Sequence, residues 1–259
     1  MDYNEIYSPI VKHTSIRVLL VFVTQYDLEL EQMDVKTAFL HGNLEERILM
    51  AQPEGFIKEG DEGKVCLLNK SLYGLKQSPR QWYLRFDEFM EKNKFVRSNF
   101  DSCVYVKWVK EGLGVFLLLY VDDMLIASKD KEEIQKLKRQ LGNDFEMKDI
   151  GPAKKILGIE IIRDRRQGTL FLSQCGYLKK VLAKFGMSEC KAVSTPLASH
   201  FKLFTEMPPK TEEERKKVER IPYASAVGSL MYAMVCTRPD LAYSASLVSR
   251  FIANPRNNH

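Results

Sequence analysis

The sequence predicts an α+β fold, and three observations carry that expectation. First, Val115 to Tyr120 and Met124 to Ala127 are short apolar runs on either side of Asp122-Asp123, the pattern of a hairpin with buried arms. Second, Trp82, Phe86, Phe89 and Met90 recur at helical spacing behind Ser78-Pro79, which predicts an amphipathic helix running to about Asn93. Third, hydrophobic content of 45% and charged content of 28% are those of an ordinary globular chain that buries a core.

The 259 residues suffice for one large domain or two smaller ones. A net charge of +5 permits a nucleic-acid partner without demanding one. The five cysteines are scattered, and none is spaced C-x-x-C, so neither a zinc site nor a disulfide framework is signalled. A reducing, intracellular setting is expected. Apolar runs such as Val18 to Val23 are far too short to span a bilayer, so no membrane partner is expected.

In chain order, Thr14-Ser15 ahead of Ile16-Arg17-Val18 reads as the start of a helix over about 15–25. Met33 to Val35 reads as a strand carrying Asp34 near its end, closed by a turn at Gly42-Asn43. Arg47 to Met50 and Val65 to Leu68 are short strands separated by Gly- and Pro-containing breaks. Ser78 with Gln81 has capping-box spacing, and Pro79 suits the first helical position. After the hairpin, Asp130 caps a helix with Ile134, Leu137 and Leu141 inward and Lys131, Lys136 and Lys138 on a solvated face. Ile156 to Ile162 and Thr169 to Leu172 read as strands around a charged turn, and a helix with Tyr177, Leu178 and Val181 then ends at Gly186. Residues 187–222 read as a linker, in which Glu212 and Glu213 could pair with Lys216 and Lys217. Small residues from Tyr223 onward suit a tightly packed helix pair broken at Thr237-Arg238-Pro239.

The chemistry gathers at acidic positions. Adjacent carboxylates in a buried hairpin raise each other's pKa, and a bound divalent cation removes that cost. An exposed turn is the plainer reading of Asp122-Asp123, as a turn former is of Asp34. Gly74 and Lys76 ahead of the helix start suggest an anion site; a plain capped helix is the alternative.

Three stretches occur in a telling order: Gln32-Met33-Asp34-Val35-Lys36-Thr37-Ala38-Phe39-Leu40-His41-Gly42, Ser71-Leu72-Tyr73-Gly74-Leu75-Lys76-Gln77-Ser78-Pro79-Arg80-Gln81-Trp82, and Tyr120-Val121-Asp122-Asp123-Met124. They resemble successive motifs of the reverse transcriptase of copia-type long-terminal-repeat retrotransposons. Tyr7-Ser8-Pro9, Leu157-Gly158-Ile159-Glu160, Tyr223 to Tyr232 and Thr237-Arg238-Pro239-Asp240-Leu241 are similar to the family's flanking segments.

The resemblance implies a right-hand polymerase palm of antiparallel sheet and helices, with partial fingers and a thumb and connection. It divides the chain into fingers and palm over 1–165 and thumb with the start of the connection over 166–259. It implies that Asp34, Asp122 and Asp123 are catalytic and hold two Mg²⁺ ions, Asp123 being the lesser ligand. Val35, Phe39, Tyr73, Gly74 and Lys76 would meet the incoming nucleotide, with Phe39 excluding a ribose 2′-hydroxyl. Tyr120, Leu157 and Gly158 would support primer and template, and Lys148 would be a general acid toward pyrophosphate. The implied partners are an RNA or DNA template, a DNA or RNA primer and deoxynucleoside triphosphates, in a cytoplasmic, virus-like-particle setting. The family's basic fingers segment and ribonuclease H domain are expected beyond this stretch at either end. A catalytically silent relic that at most binds nucleic acid is the other reading.

Overall fold

The computed structural model describes residues 8–109, 112–198 and 221–255. They form two compact units: Met1–Ala153 with Asp164–Thr169, and Lys154–Arg163 with Leu170–His259.

The first unit is built on a six-stranded antiparallel sheet. Its strands are β1 (Glu29–Val35), β4 (Val96–Arg97), β5 (Val104–Lys107), β6 (Val115–Tyr120), β7 (Asp123–Ser128) and β8 (Met147–Pro152), in the order β4-β5-β6-β7-β1-β8. The expected α+β class is therefore observed. Strands β2 (Leu49–Ala51) and β3 (Val65–Leu67) form a separate pair. β6 and β7 are buried along almost their whole length without in–out alternation. That is the signature of strands covered on both faces, and it explains why their sequence is continuously apolar.

Three helices cover the sheet. In α1 (His13–Gln25), Ile16, Leu19, Leu20 and Val23 form the buried stripe. In α2 (Ser78–Lys92), Trp82, Phe86, Phe89 and Met90 are buried. In α3 (Lys131–Asp144), Ile134, Leu137 and Leu141 are buried, and the Asp130 carboxylate accepts from the Glu132 N–H as its N-cap.

Four local expectations are corrected. Ser15 does not cap α1: Lys12 is the N-cap, and the Ser15 hydroxyl donates to Asp101, a residue of a distant loop whose carboxylate also accepts the Lys12 N–H. Ser78 and Gln81 form no capping box: Gln77 is the N-cap, and the Ser78 hydroxyl donates to the Leu72 carbonyl at 2.6 Å. Lys138 is not solvated but buried, bonded to Asp149 at 2.6 Å and ion-paired with Glu31. The strand expected over 156–162 is two strands, β9 (Lys155–Ile156) and β10 (Ile159–Asp164), because Leu157 and Gly158 both take positive φ and turn the chain.

The second unit carries β9 and most of β10 and β11 (Thr169–Ser173), in the order β11-β10-β9. Helices α4 (Cys175–Lys184), α5 (Tyr223–Cys236) and α6 (Ala242–Ser249) follow. The Tyr232 hydroxyl donates to the Leu157 carbonyl, and its ring meets Tyr177 edge-on at 5.1 Å. Gly186, at φ +67°, follows α4 as expected. The pairs expected between Glu212 and Lys216 and between Glu213 and Lys217 lie outside the described residues.

Candidate active site

The β6–β7 hairpin closes with Tyr120 opposite Asp123, leaving Val121 and Asp122 as its two-residue turn. Val121 has φ +56°, and Asp122 has no positive φ. One left-handed residue at the first turn position is the type II′ pattern, which suits the twist of a hairpin but favours glycine there. β1 runs antiparallel beside β7 and places Asp34 directly opposite Asp123. The Val35 N–H donates to the Asp122 carbonyl at 2.9 Å, fastening the turn to β1. Residues far apart in sequence thus meet because β1 inserts between β7 and β8.

The three carboxylates are half-buried and electrostatically coupled. Burial pushes the Asp34 carboxyl up, the Asp122 charge pushes it further, and Lys148, its register partner on β8, opposes both. Asp123 is likewise raised by burial and by its acidic neighbours, while the Gln32 amide donates to its Oδ1 at 3.1 Å and stabilises the anion. Asp34 and Asp122 are therefore an open pair of like charges, with Asp123 partly satisfied beside them.

Oxygen-only donors of this kind suit a hard cation such as Mg²⁺. Among the described residues no three His, Cys, Asp or Glu side chains form a ready-made metal cage. Mg²⁺ commonly takes one or two carboxylates and completes its shell with water and substrate phosphate, so an open acidic pair fits it without a cage.

Several of the other expected residues lie in the same unit as the acids. A short 3₁₀ turn, Ala38–His41, carries Phe39, whose ring lies 4.4 Å from that of Tyr73. Burial and the Asp122 charge raise the Tyr73 phenol. Phe39 and Lys76 line a cavity of about 200 Å³ with Ser8, Ile10, Pro79, Trp82 and Val121. Gly74 has φ +98°, a conformation that strains any side chain, while nothing crowds its missing Cβ. Val35 is buried, so its side chain is core and its N–H is already engaged by Asp122. Tyr120 ends β6. Leu157 and Gly158 lie in the second unit, in the turn between β9 and β10.

Two residues of the site went unrecognised in the sequence. Gln32 sits two positions before Asp34 on the same strand, and period-two alternation alone puts both on one face. Trp82 reads as core by its helical spacing, yet its indole N–H donates to the Val121 carbonyl at 2.6 Å. Only the tertiary structure exposes that second use.

The sheet thus carries an acidic hairpin turn directly beside an acidic strand end. The chain belongs to the reverse transcriptase (RNA-dependent DNA polymerase) family, whose pattern matches residues 1–199. It is 56% identical over its whole length to a retrovirus-related Pol polyprotein from transposon TNT 1-94 of Nicotiana tabacum, covering 20% of that protein. It is 36% identical over its whole length to the corresponding Pol polyprotein from transposon RE1 of Arabidopsis thaliana, covering 17% of it. Over 88% of the chain it is 33% identical to a putative transposon Ty5-1 protein of Saccharomyces cerevisiae, covering 71% of that protein. The copia-type likeness of its motifs thus extends to whole-chain similarity with plant transposon polyproteins, of whose length the chain spans about a fifth. Among the described residues, no helix is long and apolar enough to cross a membrane.

Proposed function

We propose that this chain carries the nucleotidyl-transfer centre of a reverse transcriptase, extending a primer on an RNA or DNA template with deoxynucleoside triphosphates. The observation that carries this reading is the register that sets Asp34 against Asp123 and ties Asp122 to β1. In this reading the six-stranded sheet is the palm, β2 and β3 belong to partial fingers, and the second unit contributes thumb and connection.

Two Mg²⁺ ions, held by Asp34 and Asp122 with Asp123 as the lesser ligand, would supply the Lewis acidity that activates a primer hydroxyl and neutralises charge on the phosphates. The protein's own share is positioning. The repulsion between Asp34 and Asp122 keeps a pair of oxygen donors poised for cations. The Phe39 ring, braced by Tyr73, forms a wall that a ribose 2′-hydroxyl would strike, and so selects deoxynucleotides by exclusion. Lys76, exposed beside the cavity, offers a cation to the triphosphate. Lys148, the register partner of Asp34, would donate a proton toward the leaving pyrophosphate.

The test is primer extension by the 259-residue chain on an RNA template, with a DNA primer, Mg²⁺ and deoxynucleotides, beside Asp122→Asn. Extension by the wild type and none by the variant is expected. Equal extension by both overturns the metal assignment. A folded wild type that binds duplex in a salt-dependent manner without extending it supports the silent, nucleic-acid-binding reading instead.

A further inference from the structure

We propose that Trp82 is a positioning residue: its indole N–H holds the Val121–Asp122 peptide of the acidic turn, and through it the Asp122 carboxylate. The role in catalysis rests on the polymerase reading above; the clamp itself does not.

The turn needs holding. Val121 is β-branched and sits at φ +56°, where a branched side chain crowds its own backbone. Left to itself, such a residue favours negative φ, which would rotate the peptide that follows and swing Asp122 away from Asp34. Two hydrogen bonds oppose that rotation from opposite sides. The Val35 N–H takes the Asp122 carbonyl at 2.9 Å, and the Trp82 indole takes the Val121 carbonyl at 2.6 Å. Both peptide carbonyls of the turn are therefore fixed, one by β1 and one by α2.

The clamp is itself rigid. Trp82 is 1% exposed and packed against Phe86 at 5.5 Å, Phe145 at 5.2 Å and His41 at 5.9 Å between ring centroids. The 3₁₀ turn that carries Phe39 is seated on the same stretch of α2. A Cβ on Gly42 would lie 2.9 Å from the Gln81 Cβ and 3.0 Å from the Trp82 nitrogen, closer than packed atoms allow. One helix thus supports the aromatic wall with its surface and the acidic turn with a single N–H. Among apolar side chains only tryptophan combines core packing with such a donor, so phenylalanine would keep the packing and lose the clamp.

The test is a double-mutant cycle on the 259-residue chain, with Trp82→Phe, Val121→Gly and the pair. Glycine adopts positive φ without strain, so it should free the turn from its dependence on the indole. Without metal, hydrogen exchange of the Val35 amide reports whether the Asp122 carbonyl stays in place. Trp82→Phe should speed that exchange about tenfold in the wild-type background and much less beside Val121→Gly. Mn²⁺ affinity, read by titration, should fall about tenfold in Trp82→Phe and recover in the double variant.

Unchanged Val35 exchange in a folded Trp82→Phe chain overturns the clamp, as does an equal effect in both backgrounds. Mn²⁺ bound alike by wild type and Trp82→Phe, where Asp122→Asn binds it poorly, overturns the positioning role. Mn²⁺ bound alike by wild type and Asp122→Asn instead sinks the polymerase reading, and the exchange result still decides the clamp. Should Trp82→Phe not fold, indole N–H exchange in the wild type decides the clamp. Trp82 must be strongly protected relative to Trp108, which is 70% exposed; equal rates overturn the clamp.

Discussion

Lys138 on α3 and Glu31 on β1 form an ion pair inside the first unit, with side chains only 5% and 8% exposed. Lys138 also reaches Asp149 on β8, and Gln135 donates at 3.3 Å to the same Glu31 oxygen, Oε2, that pairs with Lys138. A helix is thereby fastened to the strand that carries Asp34 and to its neighbour β8. Lys138→Met should destabilise the fold by about 3–5 kcal/mol, because Glu31 is left buried without its cation. Adding Glu31→Leu should restore most of that loss. Urea unfolding of the two variants checks this; equal destabilisation would show that packing, not the stranded charge, dominates.

The acidic pair makes a pH- and metal-dependent prediction. The folded-state pKa of Asp34 lies above its ordinary value of 3.8, through burial and the charge of Asp122. The folded chain therefore binds that proton more tightly than the unfolded chain. Stability contributed by the protonated form is present at and below 3.8 and is lost as pH rises through the folded value. At neutral pH in a chelator, Asp34→Asn should unfold at a slightly higher temperature than wild type, the gain being limited by solvent screening. Saturating Mg²⁺ should raise the wild type and not the variant, reversing their order. Thermal melts with and without Mg²⁺ decide it.

Gly42 needs no unusual backbone angle, so its role is contact alone. Gly42→Ala should cost about 1–3 kcal/mol, because the new methyl meets Gln81 and the α2 backbone. Displacement of the 3₁₀ turn should also disturb the Phe39–Tyr73 contact. Urea unfolding measures the first effect, and aromatic NMR shifts measure the second.

Under the polymerase reading, Phe39→Ala should remove the wall against a 2′-hydroxyl. Ribonucleotide incorporation relative to deoxynucleotide should rise by at least about tenfold, while Phe39→Tyr should preserve selectivity. Single-nucleotide extension with matched ribo- and deoxynucleotides gives the ratio. No change in Phe39→Ala would assign discrimination elsewhere.

Local patterning was legible where one element carries its own signal. The arms of the acidic hairpin, the stripe of α2, the Asp130 cap and the stop at Gly186 were all written in consecutive residues. The failures have a common cause. Ser15 and Ser78 have side chains of capping type, but each hydroxyl donates elsewhere instead of accepting from its own helix: to Asp101 for one, to the Leu72 carbonyl for the other. Lys138 occupies a position that reads as surface until β1 and β8 bring two carboxylates to it. β5 and β8 have no strong periodicity and become strands through their neighbours' open edges.

The sequence by itself determined the α+β class, the order of the motifs and the identity of the acidic residues. These follow from side-chain chemistry and from periodicities that act over a few residues. Only the tertiary structure decided which carboxylates meet, that Lys148 flanks Asp34 on its other side, and that Trp82 serves the turn as well as the core. Such relations depend on strand order and register, which bring together residues whose separation along the chain leaves no local trace.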